Sequence, residues 1–581
     1  MRGPRASPRV ISSVAAGALI LLGAFGIASA RQETATGGDE PSVPVLNPGE
    51  RHVLLLMLDG LPAVPFEEAL AAHELPNLER LFASRPTLRT RALSTFPSST
   101  APSVPDLLSG RWVEEDEFPA PNAIYAFDRE QRRMARYLTQ PDIWSWPVPN
   151  LFDAAARAGL SSETVFEGRW KSSESILTTG SIARSAALEM LGASEFVGGD
   201  SRPVEELISQ FEKRGVPRVM LVVFNETDLK GHFHGPASPE LRHALVATDG
   251  LIGELAGALA RAKAPGGRSV LDETSIILFG DHGMAASGKF LDLEELFRRR
   301  GLVAYDASTA AHVVLRERLG ARWTRWPDVI LVSGGSNITQ IYLRSPSGGW
   351  TEGAAALPKE VERARRRPEV EEIERQLLEL PGVNQVLRRV APHEVEIQAD
   401  GNRIAWVIER GDGKDRRWAY VVPDGAAADP LCYLADPAVA PLVARSGSLS
   451  PSDFFDADTW IERTWNARYP AAVPLVQKAF HPQRFTGDLI VTAHLGWSFV
   501  KNQHGDHGNL ERDVMFTPLV LNGAGVEGGA ALSGARLIDI YPTAAVLLGA
   551  DRNDPALTAL DGRVLPGVHP PAHSGRRLIA K

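Results

Sequence analysis

Residues Val219–Phe224 read VMLVVF and run directly into Asn225-Glu226-Thr227-Asp228-Leu229-Lys230-Gly231-His232-Phe233-His234-Gly235-Pro236. Six uncharged apolar residues have the length and composition of a strand buried on both faces. The segment that follows places acid and imidazole groups at the strand's carboxyl end. The same arrangement recurs upstream, where Val53–Leu58 (VLLLML) leads to Asp59-Gly60, and downstream, where Ser275–Phe279 (SIILF) leads to Gly280-Asp281-His282-Gly283. A fourth run, Asp488–Ala493 (DLIVTA), precedes a loop holding His504 and His507. Helical patterns lie between these runs. Pro76–Ala83 carries Leu78, Leu81 and Phe82 on one side, and Pro239–Ala260 carries Leu241, Leu245, Ile252, Leu255 and Leu259 at helical spacing. Alternating strand and helix predicts an α/β fold, a central sheet sandwiched by helices. In such sheets ligands bind beyond the carboxyl ends of the strands, where these Asp and His residues fall.

Residues 298–485 have a different texture. Arg363, Arg365, Arg366 and Arg367 crowd a charged segment that reads as a solvated helix face. Glu394–Gln398, Arg403–Glu409 and Arg417–Val422 alternate or run apolar between Gly and Asp turns, as strands do. These features predict an inserted α+β cap subdomain at 298–485, set between the two parts, 51–297 and 486–581, of a discontinuous catalytic domain. Most of its tryptophans (Trp323, Trp326, Trp350, Trp406, Trp418, Trp460, Trp465) read as core fillers.

Composition narrows the function. The chain has 581 residues, 44% hydrophobic and 23% charged, which are globular values spread over more than one ordinary domain. Basic residues number 62 against 71 acidic, and the net charge of −9 argues against nucleic-acid binding. The single cysteine, Cys432, excludes an internal disulfide framework and a Cys-rich zinc module, leaving His, Asp and Glu for any metal.

The N-terminus reads as a targeting segment. Arg2, Arg5 and Arg9 precede an uncharged stretch from Val10 to Ala30, with Ala28-Ser29-Ala30 as a small-x-small site. This is the pattern of a secretory signal peptide at 1–30, cleaved after Ala30. The span is long enough to be an uncleaved anchor, but Gly17, Gly23 and Gly26 weaken it as one. Residues 31–50 follow as a flexible linker. The expected location is extracytoplasmic, either periplasmic or secreted, with no stable membrane span after cleavage.

Taken singly, the polar residues at the strand ends say little, since an Asp after a strand most often caps a helix or a turn. Together, Asp59, Asp228, Asp281, His232, His282 and His507 form an N- and O-donor set suited to divalent metal. With one hydroxyl they suffice for two ions about 3.5–4 Å apart. Gly60, Gly231, Gly283 and Gly508 allow tight backbone beside them. Hydroxyls are supplied by Phe96-Pro97-Ser98-Ser99-Thr100-Ala101-Pro102-Ser103. Pro102 fits the first turn of a helix that Val104–Leu108 continues to Gly110. Thr100 then stands at a helix N-terminus, which favours an anion such as phosphate. By itself such a segment is first of all a Ser/Thr-rich turn.

In this order the motifs resemble those of the alkaline phosphatase superfamily, within it the type I phosphodiesterase/nucleotide pyrophosphatase branch. Leu58-Asp59-Gly60 is similar to the first metal motif. Phe96 to Thr100, closing at Ser109-Gly110, resembles the nucleophile motif with Thr100 in the nucleophile position; Thr95, the rival, lies too far from Gly110. Asp228 to Pro236 is close to Asp-x-x-Gly-His-x-x-Gly-Pro, with Asp249 fitting in the next helix. Gly280 to Met284 matches Asp-His-Gly-Met, and Gly505-Asp506-His507-Gly508 resembles the last metal motif, followed by a strand at Met515–Leu521. Asp539 to Thr543, Leu547-Leu548-Gly549 and Leu560 to Arg563 resemble the closing segments. The resemblance covers about 50–297 and 486–565.

The resemblance implies an alkaline-phosphatase-like fold and two metal sites. Asp228, His232 and His507 would hold one ion, and Asp59, Asp281 and His282 the other, with Thr100 bridging toward the second. His504 is the competitor of His507, and His234 is expected to be structural. Asn122 lies one residue from where the family binds phosphate. Ser103 stands where the family often has Asn. Arg169 and Lys171 read as a solvated loop within reach of substrate. Zinc is the expected metal, with manganese as the alternative. The expected activity is a phosphodiesterase/nucleotide pyrophosphatase acting on a small phosphoester through a phospho-threonine intermediate. The alternatives are a threonine-type phosphomonoesterase and a non-catalytic extracytoplasmic binding protein. A sulfatase would need Cys or Ser at position 100 and Arg at 104, where this chain has Thr100 and Val104. A cofactor-independent phosphoglycerate mutase would use Ser and be cytoplasmic.

Overall fold

The computed structural model describes residues 43–571, except 114–124, 131, 137–147, 167, 169, 171, 191–197, 308–326, 345–348, 351–367, 481–484 and 531. Asn122, Arg169, Lys171, the arginines at 363–367, Trp323, Trp326 and the N-terminal targeting segment therefore lie outside the described residues.

The first strand, His52–Leu58, shows why the centre is buried on both sides. Val53, Leu55 and Met57 enter one hydrophobic core, and Leu54, Leu56 and Leu58 enter the other, as the two-residue period of a strand requires. Each such side chain contributes about 1.5–3 kcal/mol when taken from water. His52–Leu58 pairs in parallel with Val219–Phe224 on one side and Thr274–Phe279 on the other. Ser162–Phe166 and Glu174–Leu177 extend the parallel set. Beyond Thr274–Phe279 comes Phe516–Gly523, antiparallel to it, and then Thr87–Leu93 and Ala535–Arg536, which complete an eight-stranded sheet. Helices Ala63–Ala71, Pro76–Ser84, Ser201–Arg214 and Pro239–Arg261 cover one face, and helices Thr100–Ser109, Leu151–Arg157 and Ile540–Leu547 the other. The expected helix sandwich is therefore present.

The register decides where chemistry can collect. Thr87–Leu93 is antiparallel to a strand that is itself antiparallel to Thr274–Phe279, so it ends at the same edge as the parallel strands. Phe516 starts its strand opposite Leu93. Asp59, Asp281, the Asn225–Asp228 turn, the loop after Leu93 and the loop before Phe516 thus share one edge.

A second sheet of nine strands runs Ala304–Asp306, Val329–Ser333, Ile338–Leu343, Leu489–Ala493, Val383–Ala391, Glu394–Ala399, Arg403–Arg410, Arg417–Val422, Val443–Arg445. Leu489–Ala493 corrects the sequence reading, which put this run in the first sheet as its fourth apolar strand. It lies between Ile338–Leu343 and Val383–Ala391, antiparallel to both. An apolar run shows that a strand is buried on two faces, and sheet membership is set by the partners that bond its backbone. Trp350, Trp418 and Trp460 are buried in this region, as expected of core tryptophans.

His52 gives the fold a pH dependence. It is buried, bonds Pro217 O through Nδ1 at 2.8 Å, and burial lowers its pKa to about 4. A lowered folded-state pKa means that the unfolded chain takes the proton first, so stability is full above the ordinary value near 6.5 and declines as pH falls toward 4. Between pH 7 and pH 5 this one group removes about 2 kcal/mol. His52→Asn should reduce the loss on that interval by about this amount in urea titrations at the two pH values.

Candidate active site

The edge shared by the two strand directions holds all six sequence-predicted Asp and His residues. Asp59 follows its strand directly and is buried. Gly60 then turns the chain at φ +61, and a Cβ there would lie 2.6 Å from Asp228 Oδ1. Any larger residue would displace that carboxylate. Asp228 and His232 lie one turn apart on helix Glu226–His234 and face the same way, with His232 Nε2 3.4 Å from Asp228 Oδ1. Asp281 and His282 are fully buried after Thr274–Phe279. Asp281 Oδ1 accepts from Gly60 N at 3.0 Å.

The imidazoles are oriented from behind. Nδ1 of His232 donates to Gly505 O at 2.8 Å, Nδ1 of His507 to Ser98 O at 2.8 Å, and Nδ1 of His282 to Gly283 O at 2.9 Å. A carbonyl partner requires the proton on Nδ1, so each neutral ring turns a bare Nε2 toward the centre. The rings of His282 and His507 stack at 3.7 Å. His507 is held well below the usual imidazole range by burial first, then by His282 and His232.

Two donor sets result. In one, His232 Nε2, His507 Nε2 and Asp228 Oδ1 stand 3.1, 3.4 and 3.6 Å apart. In the other, donor atoms of Asp59, Asp281 and His282 lie within 4.8 Å of one another, and donor atoms of Asp228, His282 and His507 do the same across the sets. Asp228 Oδ1 and Asp281 Oδ2 are buried without a hydrogen-bond donor among the described residues. Orphaned carboxylate oxygens facing bare imidazole nitrogens at 3.3–3.6 Å repel or go unsatisfied unless a cation lies among them. The donor set fits divalent metal.

Thr100 is the first residue of helix Thr100–Ser109, as its sequence position predicts. Its Oγ1 donates to Asp59 Oδ1 at 3.1 Å and lies 3.4 Å from His282 Nε2. Thr95 is buried elsewhere, accepting from Lys478 Nζ at 2.6 Å. His504 is exposed, and only its backbone reaches the site, by donating to His232 O at 2.8 Å. His234 meets Glu189 Oε2 through Nε2 at 2.7 Å and serves the scaffold. Asp249 caps a helix: it accepts from the amides of Asn77 and Leu78 at 3.0 and 2.8 Å, where Pro76–Ser84 has no capping side chain of its own. Ser103 is fully buried, 3.2 Å from Ser94 Oγ.

Sequence reading missed the supports. Lys230, fully buried on the Asp228 helix, forms an ion pair with Glu189. The turn Gly334-Gly335-Ser336-Asn337, from the second sheet, accepts from His507 N at Gly335 O (3.2 Å) and donates from Asn337 N to His507 O (3.1 Å). Gly335 approaches His507 so closely that a Cβ would lie 2.6 Å from Nδ1. The Gly-Gly pair was the available signal, and it reads as an ordinary turn.

The mixed sheet thus gathers Asp, His and a helix-terminal Thr at one edge. The family model of type I phosphodiesterase / nucleotide pyrophosphatase matches residues 53–405, more than half of the chain, and the protein belongs to this family of hydrolases, a branch of the alkaline phosphatase superfamily. Solved structures that match the chain include murine ectonucleotide pyrophosphatase/phosphodiesterase 5, at 13% identity, covering 86% of this chain and 96% of that one with TM-score 0.48. An inactive form of the murine protein in complex with AMP gives 13%, the same coverages and 0.47. The human counterpart gives 14%, 86%, 96% and 0.45. No curated protein matches the chain.

Proposed function

We propose that the protein is an exported, metal-dependent phosphodiesterase/nucleotide pyrophosphatase in which Thr100 is the nucleophile. The observation that carries this reading is the placement of Thr100 Oγ1, 3.1 Å from Asp59 Oδ1 and 3.4 Å from His282 Nε2, beside buried carboxylate oxygens that lack donors. Asp228, His232 and His507 would hold one ion, and Asp59, Asp281 and His282 the other, with Thr100 adjoining the second. Two bound divalent ions, zinc by the donor set and manganese as the alternative, supply a lower pKa for the attacking hydroxyl and charge stabilisation for the leaving oxygen.

The chain's own residues do the rest. Asp59 aligns the Thr100 hydroxyl and receives its hydrogen bond. Oγ1 attacks phosphorus and gives up its proton to solvent, the bond to the leaving oxygen breaks, and that oxygen departs as an anion or takes a proton from water. Water then attacks the phosphorylated threonine, which in a diester reaction still bears the second ester group; the Oγ1–P bond breaks, a proton returns to Oγ1, and a phosphomonoester leaves. The N-terminus of helix Thr100–Ser109 presents the amides of Thr100 and Ala101 to the anion. Export rests on the pattern at residues 1–30; among the described residues no helix is long and apolar enough to cross a membrane.

The test is hydrolysis of bis-p-nitrophenyl phosphate against p-nitrophenyl phosphate, with zinc and after chelation. Diester cleavage should exceed monoester cleavage and disappear on chelation. Faster monoester cleavage would move the function to the threonine-type phosphomonoesterase, and no cleavage with two metals bound would favour the binding-protein alternative.

A further inference from the structure

Lys478, on helix Ala472–Lys478 of the second-sheet region, is 1% exposed. Its ammonium forms an ion pair with Asp106, also 1% exposed, and donates to Thr95 Oγ1 at 2.6 Å. Those two partners flank the nucleophile. Thr95 opens the turn that leads into helix Thr100–Ser109, and Asp106 sits on that helix six residues after Thr100. One buried cation thus grips both arms of the bend that has Thr100 at its apex. Asp106 is fixed further by accepting from Val113 N at 2.9 Å through Oδ1. At 1.5 Å of rise per residue, Asp106 lies about 9 Å along the helix from Thr100. Lys478 is enclosed and neutralised there, so it does not meet substrate.

We propose that Lys478 is a positioning residue: it fixes the bend that aims Thr100 Oγ1, and through it the second-sheet region becomes a working part of the active site. This rests on Thr100 being the nucleophile. The Gly334–Asn337 turn supports the same view, because it braces His507 from the same region. A buried pair adds little stability over apolar substitutes, whereas removing one partner strands a charge. Its worth here lies in geometry, where an error of about 1 Å costs about 10²-fold in rate.

The test uses the full-length zinc-loaded enzyme. Asp106→Asn/Lys478→Met removes both charges together and leaves an Oδ1 for Val113 N. Thermal unfolding should stay near that of the wild type, while kcat for bis-p-nitrophenyl phosphate falls about 10²-fold with KM unchanged. Thr95→Val removes only the second grip; kcat should fall severalfold, and Thr95→Ser should restore it. A folded double variant with wild-type kcat overturns the proposal. If the double variant does not fold, Thr95→Val decides alone, and wild-type kcat overturns it. Thr100→Ala measured alongside separates the two claims: activity surviving there sinks the nucleophile reading and this proposal with it, whereas activity lost there beside wild-type kcat in the folded double variant sinks this proposal alone.

Discussion

Thr100→Ala should lower kcat for bis-p-nitrophenyl phosphate by about 10³-fold or more, with the fold and zinc content kept. The expectation is large because the neighbouring hydroxyls of Ser98, Thr95 and Ser103 are held elsewhere. Ser98 is fully buried, with Oγ donating to Asn509 O at 2.8 Å and accepting from Gly508 N at 3.1 Å. Thr95 is held by Lys478, and Ser103 is enclosed beside Ser94. Among the described residues, Thr100 is the one whose hydroxyl meets both Asp59 Oδ1 and His282 Nε2. If Thr100 is the nucleophile, the loss should fall on kcat and not on KM, since the change removes the attacking oxygen, with the γ-methyl, while the charged surroundings persist. Thr100→Ser should recover much of the rate, because it returns the hydroxyl at the same atom. Rapid quenching during turnover should trap a p-nitrophenyl phosphoryl group on residue 100 in the wild type and nothing in the alanine variant. Turnover near wild-type in Thr100→Ala, with zinc bound, would remove Thr100 from the reaction.

How much of this was legible in the chain differs by element. Val53–Leu58, Val219–Phe224 and Ser275–Phe279 were readable because a strand buried on both faces must be continuously apolar, and each is flagged by a polar residue at its carboxyl end. Those three runs fixed five of the six Asp and His residues in place; His507 came from its Gly-flanked motif instead. Leu489–Ala493 has the same apolar signature and belongs to the other sheet, because pairing with Ile338–Leu343 and Val383–Ala391 is a long-range fact that no local pattern encodes. The supports were illegible for the same reason. Lys478 and Asp106 are 372 residues apart in sequence, and a Lys at the end of a short helix reads as a surface charge until its partner is known. Asp249 was legible as a motif member, but its actual work, capping Pro76–Ser84 across 171 residues, depends on packing. Local chemistry thus announced which residues would meet, and tertiary contacts decided what holds them there.

Asp281→Asn is expected to reduce kcat/KM by about 10³-fold or more, since removing one ion takes several kcal/mol of charge stabilisation from the reaction, and to stabilise the metal-free protein at the same time. The two effects share one origin. Asp281 is fully buried; Oδ1 accepts from Gly60 N at 3.0 Å, while Oδ2 has no donor and stands 3.3 Å from His282 Nε2. Asn at this position keeps Oδ1 for Gly60, so the turn at Gly60 and the approach of Asp228 survive. Its Nδ2 replaces the orphaned oxygen, removes a buried charge and donates to the bare nitrogen of His282. An unsatisfied buried group costs about 1–3 kcal/mol, and the metal-free variant should be more stable by about that amount. With zinc the order should reverse, because a ligand that binds only the folded state stabilises it in proportion to its affinity, and the variant has lost a carboxylate from the Asp59–Asp281–His282 set. The measurement is paired: unfolding with EDTA and with zinc, and metal content by mass spectrometry, for wild type and variant. The expected content falls from two ions per chain toward one. A variant that keeps both ions and full activity would show that Asp281 is no ligand. A variant less stable than wild type in EDTA would show that its carboxylate is satisfied without metal. The reversal between the two conditions distinguishes a site built for cations from a buried acid that merely supports the fold, because only the former is strained when empty and relieved when filled.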